Sequence, residues 1–296
     1  MTNARARRID NEYRKRLFAR FLLFRDALRE YQAARLPRSA EGDWHPFFSD
    51  YLLMPQIREV TEAPAGTAVT KEMLLAICED QIPAMNAKWY DDRKQDFVAL
   101  IRKMEPIPEL EGELPEDPDV LLSLAIATFH CGHCQSYGMR FPQVLAHRCG
   151  RTVTFYGSTA VRDGREQKYR HTMGRTCLEH RLMHPWSEGT LTAFSFNPDL
   201  KQACAVISAC GKDSTKATFE EMEACGTRLL CRACHADRFS GSSPTLAYDW
   251  KRAVSLRMLC SSCKLKSITL HNRHGDMHRR ITRRRTWPVT SRTGWP

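Results

Sequence analysis

Two cysteines two residues apart, Cys131 and Cys134 in Thr128-Phe-His-Cys-Gly-His-Cys134, carry the strongest chemical signal in the chain. Thiolates at that spacing grip one tetrahedral ion from a tight turn, and Gly132 is expected to let the turn form. Twelve residues separate Cys134 from His147. That interval matches the first three ligands of a two-Cys two-His finger, in which a hairpin and a helix surround zinc. The fourth ligand departs from the pattern: no His lies three to five residues beyond His147, and Cys149 is the donor at hand. Gly138 also stands where such fingers carry a core aromatic. Cys131, Cys134, His147 and Cys149 are therefore the first metal candidates. For His147 and Cys149 the competing role is packing at a helix end.

A second pair is Cys231 and Cys234, and a third is Cys260 and Cys263, 25 residues further on. The two pairs together would suit a zinc ribbon with a long loop. A competing closure draws Cys231 and Cys234 onto the metal held by Cys131 and Cys134. Cys260 and Cys263 are the weaker candidates, because they border an Arg-rich tail with few apolar anchors. His180 and His184 have helical metal spacing but no accompanying carboxylate motif. His274 and His278 repeat that spacing in the tail. Cys78, Cys204 and Cys210 read as packed thiols in apolar stripes, and Cys177 and Cys225 as singletons. The sequence contains no P-loop, nucleotide-binding glycine fingerprint, nucleophile elbow or deaminase motif.

The elements around these donors follow from periodicity. Residues 5–35 read as one amphipathic helix: Ile9, Tyr13, Leu17, Phe21, Phe24, Leu28 and Tyr31 recur at spacings of 3 and 4. The segment from His45 to Val60 reads as a short packed loop or helical turn. Thr70 is the expected N-cap of the next helix, whose apolar side breaks at Pro83 and resumes through Trp89, Phe97 and Ile101. Residues 105–119 read as an acidic, proline-rich connector. Asp117-Pro118 opens a further helix, filled by Val120 to Ala127. Phe141-Pro142 leads into a short helix that ends at Gly150. Thr218-Phe-Glu-Glu221 is a capping box, and Asp249-Trp250 opens another short helix.

The composition bounds what this framework can be. The chain has 296 residues, 42% of them hydrophobic and 27% charged, which is ordinary for a folded protein. No apolar run approaches the roughly 18 residues of a membrane helix, so no membrane partner is expected. The start, MTNARARRID, has no apolar core of a secretory signal. Twelve cysteines without that route argue for reduced thiols, metal before disulfide, and a location in the nucleus or cytoplasm. The net charge of +11 is uneven: +7 over residues 1–38, −11 over 39–130, +4 over 131–250 and +11 over 251–296. The excess cation therefore lies in the last 46 residues, a pattern that weakens the reading of the folded body as a nucleic-acid surface. That tail is expected to be disordered.

The order of FHCGHC, FPQVLAHRC, ISACGKDSTKATFEEMEA, RLLCRAC and YDWKRAVS, preceded by PFFSDYLLMP, resembles a large group of uncharacterised proteins of mushroom-forming fungi. Many of those carry an N-terminal F-box. The resemblance covers about residues 5–255. No F-box helix pattern precedes residue 40, so a link to a cullin ubiquitin ligase does not transfer. Leu256 follows Ala253-Val254-Ser255 where the group commonly has His, and the tail beyond it looks unlike the group.

The expectation is an α+β protein: a mainly helical region at 1–119, a zinc-stabilised α+β region at 120–255, and a basic tail at 256–296. Several closed-shell ligand sets without a catalytic constellation point to a non-enzymatic, zinc-stabilised protein-interaction module of an adaptor kind. The alternative is a zinc protein that binds nucleic acid through the zinc region and the Arg-rich tail. A metallohydrolase using His180 or His184 would need an open zinc position and a carboxylate base, and the sequence assigns neither.

Overall fold

The computed structural model describes residues 3–35, 44–104, 107, 110, 112–151, 164–186, 188–225, 228–231 and 268–271, the last two stretches by backbone alone. The fold is helix-rich α+β. Helix α1 spans Asn3–Arg35, and its stripe is buried at Leu17, Phe21, Phe24 and Leu28, while Ile9 stays 53% exposed. Arg20 is a buried charge on this amphipathic helix. It turns inward and donates to the carbonyls of Thr61, Ala63, Pro64 and Thr67, satisfying acceptors that a helix end leaves open. The segment after His45 is more ordered than a loop: it forms α2 (Phe48–Leu53) and α3 (Pro55–Thr61), with Pro55 in the first turn, where its missing N–H costs nothing.

Helix α4 runs unbroken from Lys71 to Arg102, capped by the Thr70 hydroxyl, which accepts from the Met73 N–H. Pro83 lies inside it and does not break it. The ring sits on the exposed face, so the carbonyl it strips of a partner can turn to water, and Ile82, Met85 and Trp89 keep their burial. Helix α5 (Pro118–Ser123) is capped by the Asp117 carboxylate and is shorter than expected. Residues 124–127 are buried as irregular chain, tied down by the Ala125 N–H to the Ala217 carbonyl at 2.8 Å. The acidic connector is also anchored: Ile107 and Leu114 are buried, and the Arg102 guanidinium donates to the Pro115 carbonyl.

Strand β1 (Phe129–Cys131) pairs antiparallel with β2 (Phe194–Phe196), Cys131 opposite Phe194. Between them lie helices α6 (Gly164–Glu179) and α7 (Glu188–Leu191). Helices α8 (Leu200–Ala209) and α9 (Phe219–Ala224) follow, the second opened by the Thr218–Glu221 capping box. Strands β3 (Arg228–Cys231) and β4 (Ile268–His271) form a second antiparallel pair.

Packing crosses the boundary expected at 119/120. One apolar cluster joins α1, α2, α3 and the first half of α4 to Tyr169, Met173 and Cys177 of α6. The other joins Trp89, Phe97 and Ile101 of α4 to residues 121–131, β2, α8 and α9. Helix α4 is thus the shared wall of both cores. Helix α6, which the sequence reading did not anticipate, supplies a narrow stripe every fourth residue and closes the first core. It does so against α1 and α2: Tyr169 stands edge-on to Phe21 at 5.3 Å, with its hydroxyl donating to the Leu52 carbonyl at 2.6 Å.

Candidate metal centre

Four sequence-predicted donors converge at one point. The sulfurs of Cys131, Cys134 and Cys149 and a ring nitrogen of His147 all lie within 4.8 Å of one another. Cys131 is held at the end of β1, where pairing with Phe194 buries it completely. The chain then doubles back. The Phe129 and Met139 backbones bond to each other in both directions, at 2.7 and 3.1 Å, and the Cys131 N–H reaches the Ser136 carbonyl. Within the turn the Gln135 N–H donates to the Cys131 carbonyl at 2.9 Å.

The glycine expected to make this turn is not the one that does. Gly132 points its N–H at the Ala193 carbonyl at 2.8 Å, and a Cβ there would meet that oxygen at 3.6 Å, an ordinary contact. The left-handed positions are Gln135 (φ 59°) and Gly138 (φ 70°). Gly138 therefore replaces the finger-type aromatic for a conformational reason. At Gln135 the side-chain amide donates to the Gly132 carbonyl at 2.7 Å, which fastens the turn from inside.

His147 and Cys149 arrive from the other side on two short 3-10 turns, Gln143–Ala146 and Cys149–Arg151, in place of the expected helix ending at Gly150. Val144 and Leu145 are fully buried and seat the first turn on the core. His147 follows it, its ring edge-on to Phe194 at 5.7 Å and its Nε2 3.3 Å from the Cys134 sulfur. Burial holds the imidazole below its ordinary pKa, so it stands neutral and able to donate a lone pair. Arg151, two residues past Cys149, is fully buried in an ion pair with Asp50 at 2.6 Å. The donor turn is thereby tied to helix α2.

The Cys134 and Cys149 thiols shift one another's pKa in opposite directions. The Ser136 hydroxyl, 3.0 Å from the Cys134 sulfur, leads in lowering that thiol to about 7; burial opposes it, and hydrogen bonds from Cys149 and Cys131 reinforce it. The same contact with Cys134, with burial and the Cys134 charge behind it, pushes Cys149 up to about 11. One thiolate forms readily and the next is resisted by its neighbour. A dication removes that repulsion, so ion binding here displaces protons. Cys131 is buried, His147 and Cys149 are half-buried and Cys134 is exposed, which puts the ion position at the surface end of β1.

No protein-family model matches this chain, and no curated protein or solved structure matches it either. The site therefore rests on its own geometry.

The remaining sequence candidates fall elsewhere. Cys231 ends β3, where only the backbone is described; Cys234, Cys260, Cys263, His274 and His278 lie outside the described residues. His180 and His184 share no helix, because α6 ends at Glu179 and Arg181 takes a left-handed turn (φ 53°). His180 stacks on Phe18 at 6.0 Å with its Nδ1 3.1 Å from an Arg25 nitrogen. Cys78, Cys177 and Cys204 are buried thiols; burial pushes Cys78 up to about 11 and Cys177 up to about 12. Among the described residues no helix is long and apolar enough to cross a membrane. The sequence reading missed Asp50, Arg151, Ser136 and Gln135. Gln135, Ser136 and Arg151 each lie within two residues of a ligand cysteine, whereas nothing local marked Asp50.

Proposed function

We propose that this chain is a non-enzymatic protein-interaction module whose surface turn is held by a structural zinc ion. The carrying observation is the closed donor set of Cys131, Cys134, His147 and Cys149 within 4.8 Å. Around one tetrahedral zinc, sulfur at about 2.3 Å and nitrogen at about 2.0 Å stand about 3.5–3.8 Å apart. The Cys134–His147 separation of 3.3 Å and the outer limit of 4.8 Å bracket that value, so small side-chain shifts suffice. Three thiolates and one imidazole favour zinc over hard cations, which prefer oxygen.

Four protein donors fill a tetrahedral sphere, so no position remains for a catalytic water or substrate. The ion's part is to join two turns that are each too short to be stable alone: residues 131–134, and the 3-10 turns carrying His147 and Cys149. Exposed His133 and Gln135, with the stacked His130–Tyr137 rings at 4.2 Å, form the surface so shaped for a protein partner.

The test is zinc content of the purified full chain, with circular dichroism and limited proteolysis before and after a strong chelator. Loss of zinc should loosen residues 128–151 and expose them to protease. A chelated protein that keeps its protease resistance and melting temperature defeats the reading. A substrate turnover lost with the zinc would put a catalytic site in its place.

A further inference from the structure

Among the described residues Cys134 is the only exposed cysteine; Cys78, Cys131, Cys177 and Cys204 are buried, and Cys149, Cys210 and Cys225 are half-buried. Oxidants attack thiolates, and exposure decides which thiolate they reach. The sulfurs of Cys131 and Cys149 both lie within 4.8 Å of the exposed one, a gap that side-chain rotation can close. These two neighbours differ in freedom. Cys131 is 0% exposed, sits opposite Phe194 at the end of β1 and donates its N–H to the Ser136 carbonyl at 2.9 Å. Cys149 is half-buried and opens a 3-10 turn of three residues. The site therefore has one sulfur facing the solvent, one partner sulfur able to move to it, and one fixed in the sheet.

We propose that Cys134 is an oxidation site with Cys149 as its resolving thiol, so that hydrogen peroxide expels the ion and reshapes the surface turn. This rests on the zinc reading of the site and adds its regulation. Zinc keeps its cysteine ligands deprotonated. A lone pair of the Cys134 sulfur bonds to one peroxide oxygen, the O–O bond breaks, and hydroxide leaves and takes a proton from solvent. Cys134 is then a sulfenic acid, oxidised by two electrons. The Cys149 thiolate attacks the Cys134 sulfur: the S–S bond forms, the S–O bond breaks, and the second hydroxide takes another solvent proton. Two thiolates, one peroxide and two protons thus give one disulfide and two waters. Cys131 and His147 remain, half of a tetrahedral sphere, and zinc leaves. The His147 turn stays seated by Val144 and Leu145. The Cys131–Cys134 turn loses the anchor it shared with His147, so the surface around His133 and Gln135 changes shape.

The experiment treats the full chain, purified with zinc and freed of reductant, with hydrogen peroxide. Zinc release is followed with a colorimetric chelator, and disulfides are mapped by mass spectrometry of unreduced peptides. The expected result is about one zinc ion released per Cys134–Cys149 disulfide formed, with zinc taken up again after a thiol reductant is added. C134H keeps four nitrogen and sulfur donors but removes the exposed sulfur; it should hold zinc and lose the release. The wild-type peptide map needs no variant, so a C134H chain that fails to fold leaves the pairing decided. Zinc that stays bound through the treatment, a Cys131–Cys134 disulfide in place of the expected one, or a zinc-loaded C134H that releases its ion as fast as the wild type overturns the switch and leaves the structural site standing. A chain that holds no zinc before peroxide is added overturns the zinc reading itself, and the switch with it.

Discussion

Asp50→Ala should be among the most damaging single changes in this chain, although it lies 81 to 99 residues from the metal ligands in sequence. The Asp50 carboxylate is 3% exposed and the Arg151 side chain 0%. Asp50 accepts from Arg151 Nη1 at 2.6 Å, from the Trp186 N–H at 2.6 Å and from the Phe47 N–H at 2.7 Å. Removing one partner of a buried pair costs about 3–5 kcal/mol, because the other charge stays out of water. The two stranded N–H groups would each add about 1–3 kcal/mol if water could not reach them. The guanidinium keeps the faces of Phe47 at 4.3 Å and Trp186 at 5.2 Å, which offset about 1–2 kcal/mol. The terms share partners and do not simply add, so we expect a net loss of about 4 kcal/mol, a large part of a typical domain's stability. Urea unfolding followed by tryptophan emission would report it, since Trp89 and Trp186 both face Arg151. Zinc release to a colorimetric chelator should quicken in parallel, because Arg151 anchors the turn that carries Cys149. D50A/R151M should recover part of the loss, since it removes both charges. A loss below about 1 kcal/mol, or a double variant no better than D50A, would refute the reasoning.

Phe97→Ala removes a fully buried ring that meets Phe129 at 4.6 Å, Phe194 at 5.8 Å and Trp186 at 5.9 Å; it should cost about 3–5 kcal/mol in chemical unfolding, and a cost below half that would mean the cluster is not the second core. Glu62 accepts from Tyr13, Arg58 and Arg165. Burial works against its charge, yet these donors hold its carboxyl below the ordinary value. The folded pKa is thus below the unfolded one, so Glu62 stabilises above the unfolded value and loses this as pH falls through the folded one. The stability gap between wild type and E62Q should therefore shrink from about pH 6 to about pH 3, and a constant gap would contradict it. In metal-free protein near neutral pH, iodoacetamide should label Cys134 before Cys149, following thiolate pKa values of about 7 and about 11; equal labelling would argue against the opposed shifts. Removing residues 257–296 should abolish any salt-sensitive binding to nucleic acid while leaving the zinc content of the body unchanged; binding that survives truncation would favour a nucleic-acid surface on the folded region.

Features set by neighbours in sequence were legible without a structure. The stripe of Leu17, Phe21, Phe24 and Leu28 made α1 readable, because a helix repeats every 3.6 residues. Thr70, Asp117 and the Thr218–Glu221 box marked helix starts, because a cap is a bond across two or three residues. The Cys131–Cys134 spacing and the nearby His147 and Cys149 named a donor set, since one turn and one short connection can bring them together. What periodicity could not decide was where a polar or small residue finds its partner. Whether His147 and Cys149 pack or converge depends on Val144 and Leu145 entering the core. Pro83 is tolerated because it falls on the solvent face of α4, and that face is chosen by α1. Helix α6 closes the first core through Tyr169, which meets Phe21 148 positions away. Arg151 finds Asp50 across 101 positions. A solvated arginine and a buried one are the same letter; burial of the surrounding chain decides which it becomes, and that is a property of the tertiary structure.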